Sequence, residues 1–192
     1  PTLSNAGLLQ GNSSLTLDHQ QLHNLHDGQL IAGGPLTLTL DQLDNEGLLQ
    51  VNGALAINSN RLNNSGRMLS DNLGLQISDT LSNSSTGEIV SASQADLHAQ
   101  TLSNLGQIAA KQLSASGNTL ENSGLLQGDT LLDLRFAQLH NGNGGQLLSG
   151  DRLVIQGGSA VNDGSWQGQQ LDFTLDSLSN HGSITGIDRK SV

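Results

Sequence analysis

Apolar and polar residues alternate along this chain in a pattern that recurs about every nineteen residues from one end to the other. Each repeat opens with leucine, any residue and asparagine, and a glycine follows two or four residues after the asparagine. An apolar side chain comes two residues after that glycine, and an apolar pair usually precedes the next asparagine by nine and seven residues. Ala160 alone replaces the leucine. The asparagines are Asn5, Asn24, Asn45, Asn64, Asn83, Asn104, Asn122, Asn141, Asn162 and Asn180.

This spacing is typical of strands, because residues two apart point to the same face of a strand. A helix would instead show apolar residues at the third, fourth and seventh positions. A period near twenty throughout a chain indicates a solenoid. Each repeat therefore predicts one coil of two or three short strands, including pairs such as Leu15 and Leu17. The prediction is an all-β parallel β-helix of about nine to ten coils, roughly 45 Å long at about 4.8 Å per coil.

The asparagine has the same parity as the inward leucine two residues before it, so we expect its side chain to point inward at a corner. Stacked asparagines could then bond one another and the turn backbone in a ladder, since a buried amide needs hydrogen-bond partners. The alternative is that asparagine only favours turns, because it tolerates left-handed backbone. For the glycine, we expect either a positive φ or a close approach of neighbouring coils.

Two regions depart from the average repeat. Leu73, Leu75 and Ile77 stand one step out of phase, which predicts a bulge or a slip in register. Ala95 and Ala115 occupy positions where other coils have larger apolar residues, so the core should thin there.

The three aromatic residues are interpreted as core. Trp166 and Phe173 fall on the apolar columns, and Phe136 sits at a position where Leu40 and Leu175 are also apolar. The alternative for Trp166 is an exposed ring that stacks on a sugar.

A longer period lies inside the short one, because every third coil has two extra residues between its asparagine and its glycine. These wide turns are Asn24–Gly28, Asn83–Gly87 and Asn141–Gly145. They predict three-coil super-repeats within residues 1–186, built from about ten repeats of 18–21 residues. Residues 187–192 are interpreted as a tail or as the edge of the segment. Variation among the wide turns favours tolerated loop change, and a spaced recognition ridge is the alternative.

The repeats LSNAGLL, LDNEGLL, LSNLGQI, LENSGLL and LSNHGSI resemble the haemagglutinin repeats of filamentous haemagglutinin-like exoproteins of two-partner secretion. The contact-dependent growth inhibition exoproteins have similar shafts. The resemblance implies a right-handed β-helical shaft, which also agrees with the usual right-handedness of parallel crossovers. It further implies secretion through an outer-membrane transporter, display on a Gram-negative cell surface, and no catalysis by the repeats. Whether the parent is an adhesin or a toxin-delivery protein stays open.

Composition narrows the partners. The formal net charge is −10, with only seven Lys and Arg in 192 residues, which argues against a nucleic-acid partner because such binding needs basic patches. No apolar run approaches the roughly 18 residues of a membrane span, so we expect no membrane insertion. The sequence has no cysteine. A glycan or a receptor on a host or bacterial surface is the partner class that a shaft with a binding flank would have.

Candidate chemistry is sparse. His19, His23, His26 and Asp27 cluster near the first wide turn and contain metal-binding groups, but the equivalent turns lack this set. NGNGGQ, residues 141–146, lacks the aspartate of calcium-binding glycine-rich repeats. A polysaccharide-cleaving enzyme needs gathered carboxylates, whereas the aspartates here are scattered among turn positions. We therefore predict no catalytic, cofactor or metal residues. Open strands at the end coils predict end-to-end self-association.

Overall fold

The computed structural model describes residues 1–187, and these form strands and turns without any helix. None of them, accordingly, forms a helix long and apolar enough to cross a membrane. Of the predicted tail, only Ile187 belongs to the described residues. The strands are β1 (Thr2–Asn5), β2 (Leu8–Gly11), β3 (Gln21–Asn24), β4 (Gln29–Ala32), β5 (Leu36–Asn45), β6 (Leu48–Asn64), β7 (Arg67–Asn83), β8 (Glu88–Asn104), β9 (Gln107–Asn122), β10 (Leu125–Asn141), β11 (Gln146–Ser149), β12 (Arg152–Asn162), β13 (Ser165–Gly168), β14 (Gln170–Asn180) and β15 (Ser183–Gly186).

Every strand pairs in parallel with the equivalent segment one coil away, which stacks about ten coils into a β-solenoid. The register keeps equivalent repeat positions opposite each other, so that Asn64 pairs with Asn83 and Asn83 with Asn104. The predicted all-β parallel β-helix is confirmed. Several strands bend through a corner without a break, which is why β6 to β10 are 16 or 17 residues long.

The core consists of apolar columns that run along the axis. Each inward leucine lies between the leucines of the coils above and below, as Leu81 does between Leu62 and Leu102. All three are fully buried. One coil alone cannot bury such a column, because the covering atoms belong to its neighbours.

The aromatic residues fill the core as predicted, but to different extents. Trp166 is 0% exposed, and it packs edge-to-face on Phe173 with ring centroids 5.3 Å apart. Phe173 lies in the last complete coil and is only partly buried. Phe136 is buried opposite Gly117. The large ring therefore fills space beside the coil where Ala115 thins the core.

The predicted irregularity in β7 is a bulge that is compensated within the same coil. Pairing with β6 jumps from Ser59 and Ile77 to Arg61 and Thr80, so β7 has one extra residue there. At the preceding corner β7 is one residue shorter than β6. The two changes cancel, and the asparagines of the two coils stay opposite each other.

The first coil corrects one prediction. Leu15 and Leu17 were predicted to form a strand, but they lie outside any strand and are partly buried. Residues 36–40 of β5, in the next coil, pair only with β6, so the segment around Leu15 makes no ladder with its neighbouring coil. Having one neighbouring coil is not by itself the reason, since β14 also pairs on one side only and is a strand.

Candidate functional site

The inner corner of the solenoid carries a continuous ladder of asparagine amides. In every coil but the last, the Nδ2 group donates to the Oδ1 atom of the asparagine in the next coil, over 2.7–2.9 Å. Asn83, Asn104 and Asn141 are fully buried. The inward ladder is confirmed, and the reading of these asparagines as surface turn residues is wrong.

The same amides also hold the turn backbone. Asn45 Nδ2 donates to the carbonyl oxygen of Gly47 in its own corner, at 3.2 Å, and to that of Arg67 in the next coil, at 3.1 Å. Other ladder asparagines repeat this arrangement. Each asparagine amide therefore closes its own corner and ties it to the next coil. Removing one amide takes a donor from both carbonyl oxygens and leaves the Gly47 oxygen only the backbone N–H of Arg67.

The wide turns leave the ladder intact. Each of them closes with a backbone hydrogen bond across four residues, so the two extra residues protrude and the glycine returns to its usual place. The ladder asparagine still donates to that glycine's carbonyl oxygen, for example from Asn141 to Gly145 at 2.9 Å. The closing bonds run from Gly28 N to Leu25 O (2.7 Å), from Gly87 N to Ser84 O (2.9 Å) and from Gly145 N to Gly142 O (2.9 Å).

Except for Gly7 in the first coil, the repeat glycines are required by close approach of neighbouring atoms and not by an unusual φ. Among the described residues, positive φ occurs only at Gly53, Gly144 and Gly157, none of which is a repeat glycine. A Cβ on Gly106 would overlap the carbonyl oxygen of Gly87 in the coil before it. Of the two expectations for these glycines, close approach of coils is therefore confirmed and positive φ is wrong.

The histidines near the first wide turn do not converge. His23 Nδ1 lies 2.9 Å from Asp44 Oδ2, whereas His26 and Asp27 are exposed in the turn. His19 belongs to the first coil, and its Nδ1 atom is buried without a hydrogen-bond partner. Within residues 1–187, no group of three or more histidines and carboxylates is arranged to hold a metal ion.

Four titratable side chains on successive coils are linked by hydrogen bonds, and the sequence alone did not predict this row. His140 Nδ1 lies 2.9 Å from Glu121 Oε2, and His140 Nε2 lies 2.8 Å from Asp163 Oδ2. His181 Nδ1 lies 2.9 Å from the other oxygen of Asp163. The hydrogen bond to Asp163, helped by Glu121, raises the pKa of His140. Hydrogen bonds from His140 and His181 lower the pKa of Asp163. Each of the four residues is adjacent in sequence to a ladder asparagine, and this shared position could have indicated that they lie in one row.

Most arginines are committed to nearby carboxylates on the outer surface. The hydrogen bond to Asp133 raises the pKa of Arg135. The partners in the other pairs are 18 to 21 residues apart, so these pairs join neighbouring coils. Arg189 lies outside the described residues. The pairs are Arg61–Asp79 (2.9 Å), Arg67–Glu88 (2.9 Å), Arg135–Asp133 (2.9 Å) and Arg152–Asp172 (2.7 Å).

Several shallow depressions interrupt the outer surface, and two of them are lined by charged residues of both signs. One, of about 270 Å³, lies where the small Ser114 and Ser116 separate Asp96 and His98 from Asp133 and Arg135. The other, of about 710 Å³, lies at the corner between the first two wide turns and includes His26, Asp27, Glu46, Arg67 and Thr86. Both are open and lined by residues of mixed charge, which suits contact with a polar partner.

Comparison with known proteins shows which proteins contain similar sequence. No family model matches the sequence, and no solved structure matches it. The "Deoxyribonuclease CdiA" of Dickeya dadantii is 36% identical over 194 residues and covers 100% of the chain. The "tRNA nuclease CdiA" of Yersinia mollaretii is 31% identical over 191 residues, 99% of the chain. The "16S rRNA endonuclease CdiA" of Enterobacter cloacae is 34% identical over 177 residues, 88% of the chain.

The homologues of this chain are CdiA contact-dependent growth inhibition exoproteins. Together with the solenoid, this confirms a filamentous haemagglutinin-like repeat region of a two-partner secretion exoprotein. The chain spans only 6% of the length of the first two CdiA relatives and 5% of the third. The nuclease names belong to those CdiA proteins as wholes.

Proposed function

We propose that this chain is a rigid, non-catalytic shaft segment of a secreted, surface-displayed exoprotein of the CdiA type. The unbroken asparagine ladder is the observation that carries the proposal, because it runs from Asn5 to Asn180 with a bond at every step. Each coil is fixed to the next by a core column, a strand pair and an asparagine amide. A rod built in this way is stiff along its whole length. Its role is to hold a distal element away from the cell.

The absence of catalysis in the proposal rests on two arguments. Three relatives that match this segment are named for cleavage of three different substrates, namely tRNA, DNA and 16S rRNA. A shared segment cannot by itself set three substrate specificities. Moreover, Asp79 and Asp133 are each paired with arginine on the outer surface, and the depression that Asp96 and Asp133 share is open and not an enclosed cleft. The acidic charge of −10 also disfavours a nucleic-acid partner.

The remaining partners follow from this role. Residues 1–186 act as one repeat unit, built as three-coil super-repeats, and reach the surface of a Gram-negative cell through an outer-membrane transporter. A receptor or glycan on the target surface is contacted by the exoprotein that includes this segment. The two end coils, with their open strands, associate end to end in the isolated chain.

Deleting three whole coils tests the shaft. Removal of residues 65–122 takes out 122 − 64 = 58 residues and joins Asn64 to Ser123 and Gly124, which restores the natural sequence Asn-Ser-Gly. The shortened chain should keep its circular dichroism spectrum, and small-angle scattering should show a rod about 14 Å shorter, at about 4.8 Å per coil. A length unchanged within error would contradict a solenoid rod.

A mismatched deletion is the control. Removal of residues 65–92 takes out 92 − 64 = 28 residues, about one and a half coils, so the ladder and the core columns lose their phase. This variant should lose its β-sheet spectrum.

The intact chain should also leave tRNA, DNA and ribosomes uncleaved in the presence of magnesium. Cleavage that disappears with Asp96→Asn or Asp133→Asn would overturn the non-catalytic assignment.

A second function, glycan or receptor binding by the flank, is favoured by the depression between the first two wide turns. Shortening all three wide turns by two residues restores the 19-residue coil and removes the walls of this depression. If adhesion of the parent exoprotein falls while the melting temperature holds, the shaft is also a binding surface. If both are unchanged, the wide turns are tolerated loop variation.

A further inference from the structure

The dipeptide Asn-Gly occurs three times in this chain, at Asn52–Gly53, Asn141–Gly142 and Asn143–Gly144. Asparagine followed by glycine is prone to deamidation, because the unhindered glycine nitrogen can attack the side-chain amide carbon. Two conditions must be met. The glycine N–H must be free of strong hydrogen bonds, and the asparagine side chain must be free to turn toward it. The structure separates the three sites by these conditions.

Asn141 meets neither condition. It is 0% exposed. Its Nδ2 group donates to Gly145 O and to Asn162 Oδ1, both at 2.9 Å, and its Oδ1 accepts from Asn122 Nδ2 at 2.8 Å. The nitrogen that would attack, Gly142 N, donates to Asn122 O at 2.7 Å. The ladder therefore holds both the nucleophile and the leaving group.

Asn143 lies two residues further, at the tip of the third wide turn, and differs on every count. Its side chain is exposed. Gly144 adopts φ +80, and its N–H donates no backbone hydrogen bond among the described residues. Asn52 is also exposed, and neither it nor Gly53, with φ +120, belongs to the paired register between β6 and its neighbours.

We propose that Asn143 is a site of spontaneous deamidation in the folded protein, with Asn52 as a second site, and that the ladder protects Asn141. At Asn143 the nitrogen of Gly144 loses its proton to water or hydroxide and forms a bond to Cγ. The bond from Cγ to Nδ2 breaks, and ammonia leaves. Water then opens the resulting succinimide to aspartate or isoaspartate. No oxidation or reduction is involved.

Protection at Asn141 has a structural consequence. An aspartate there would have acceptor oxygens only, and it would face the oxygens of Gly145 and Asn162, which now accept from the amide. The hydrogen bonds from residue 141 to Gly145 and Asn162 could not form again. Deamidation at Asn141 therefore records an opening of the coils around it, whereas deamidation at Asn143 proceeds without any opening.

Peptide mapping by mass spectrometry tests the proposal. The folded chain is incubated at mildly alkaline pH, and modified peptides are quantified at each asparagine over time. We expect Asn143 to deamidate at least about tenfold faster than Asn141, the factor given by 1.4 kcal/mol of local opening. In concentrated urea the rates at the two sites should converge. Equal rates in the folded chain, or a rate at Asn143 no faster than at the exposed Asn118, would overturn the proposal.

A ladder variant sharpens the test. Asn122→Ala removes the amide that holds Asn141 Oδ1 but keeps the backbone oxygen that holds Gly142 N, so deamidation at Asn141 should accelerate severalfold while Asn143 is unchanged. The matched control is Asn63→Ala, which removes an outward amide bonded to Asp44 and should change neither rate. If Asn122→Ala unfolds the chain, the comparison of folded and urea-treated wild type decides. A slow rate at Asn141 in urea would show that its sequence and not the ladder protects it.

Discussion

The central coils and the last coil have the same repeat but reach very different burial. In the central coil of β7, Leu81 and Asn83 are both 0% exposed. At the equivalent positions in β14, Leu178 is 42% exposed and Asn180 is also exposed. Both coils have the same tripeptide, Leu-Ser-Asn, at these positions. Burial in this protein is therefore a property of the stack, because each coil is covered by its neighbours and not by its own residues.

We expect the largest loss of stability when one of the paired aromatic residues, Trp166, is replaced. Trp166 lies between Leu147 and Ile184, whereas Phe173, further along the same coil, has a neighbour on one side only, Ile155. We expect Trp166→Ala to destabilise the fold by about 3–5 kcal/mol and Phe173→Ala to cost clearly less, as measured by denaturant melts. Tryptophan fluorescence should be blue-shifted and resist iodide quenching. Red-shifted, quenchable emission would place the ring at the surface.

The repeat glycines give the next effect. In Gly106→Ala the new methyl group would overlap the carbonyl oxygen of Gly87, so we expect a loss of about 1–3 kcal/mol or more from overpacking. At Gly7, in the first coil, an added Cβ meets nothing within 4 Å. Gly7→Ala should therefore be close to neutral in a thermal melt. Similar losses in both variants would mean that the glycines are needed for another reason.

Replacing rungs of the ladder should have a comparable or smaller effect. Asn104→Ala removes the side-chain donor to the backbone oxygens of Gly106 and Leu125 and breaks the amide chain to Asn122, at a cost of about 1–3 kcal/mol. Asn180→Ala removes only the final acceptor at an exposed position, and should stay within about 0.5 kcal/mol. Changes below that limit at both positions would contradict a stabilising ladder.

These contrasts also show how far the sequence predicts the molecule. The phase of Asn104 and Trp166 was enough to place both inside, because strand parity is rigid once the period is known. The bulge in β7 was visible because Leu73 broke that phase. The predicted strand at Leu15 was wrong although Leu15 and Leu17 keep the phase of the repeat, because phase alone does not determine whether a segment pairs with the next coil.

The outer surface was less predictable. The row from Glu121 to His181 depends on rotamers and on which coils become neighbours, so no local motif marks it. The glycine at each corner left two explanations open, because sequence alone cannot distinguish a positive φ from a close backbone approach. Only the positions of carbonyl oxygens such as Gly87 O decide between them.

The smallest predicted effect is a pH dependence of that outer row. Both ring nitrogens of His140 face carboxylate oxygens, and a neutral imidazole has only one N–H. Since the pKa of His140 is raised, its contribution to stability is complete below the ordinary histidine pKa of about 6.5. The contribution is lost as pH rises through the raised value.

Asp163, whose pKa is lowered, contributes above the ordinary aspartate pKa of about 3.9 and loses this as pH falls through its folded value. By NMR titration we expect the pKa of His140 to lie above the ordinary histidine value of about 6.5. The control position is His98, which bonds the hydroxyl of Ser116. The small decrease in melting temperature between pH 6 and pH 9 should shrink in His140→Gln but not in His98→Gln. An identical decrease in both variants would exclude this role.

Native-state hydrogen exchange followed by mass spectrometry tests most directly whether stability comes from the stack. We predict the highest protection in the central strands β7 to β9, with decreasing protection toward β1 and toward β14 and β15, despite the shared repeat. Extending the chain by further coils of the same repeat should raise protection in β14. Uniform protection along the chain, or high protection in β14 without added coils, would contradict the account, because each coil would then be stable without its neighbours.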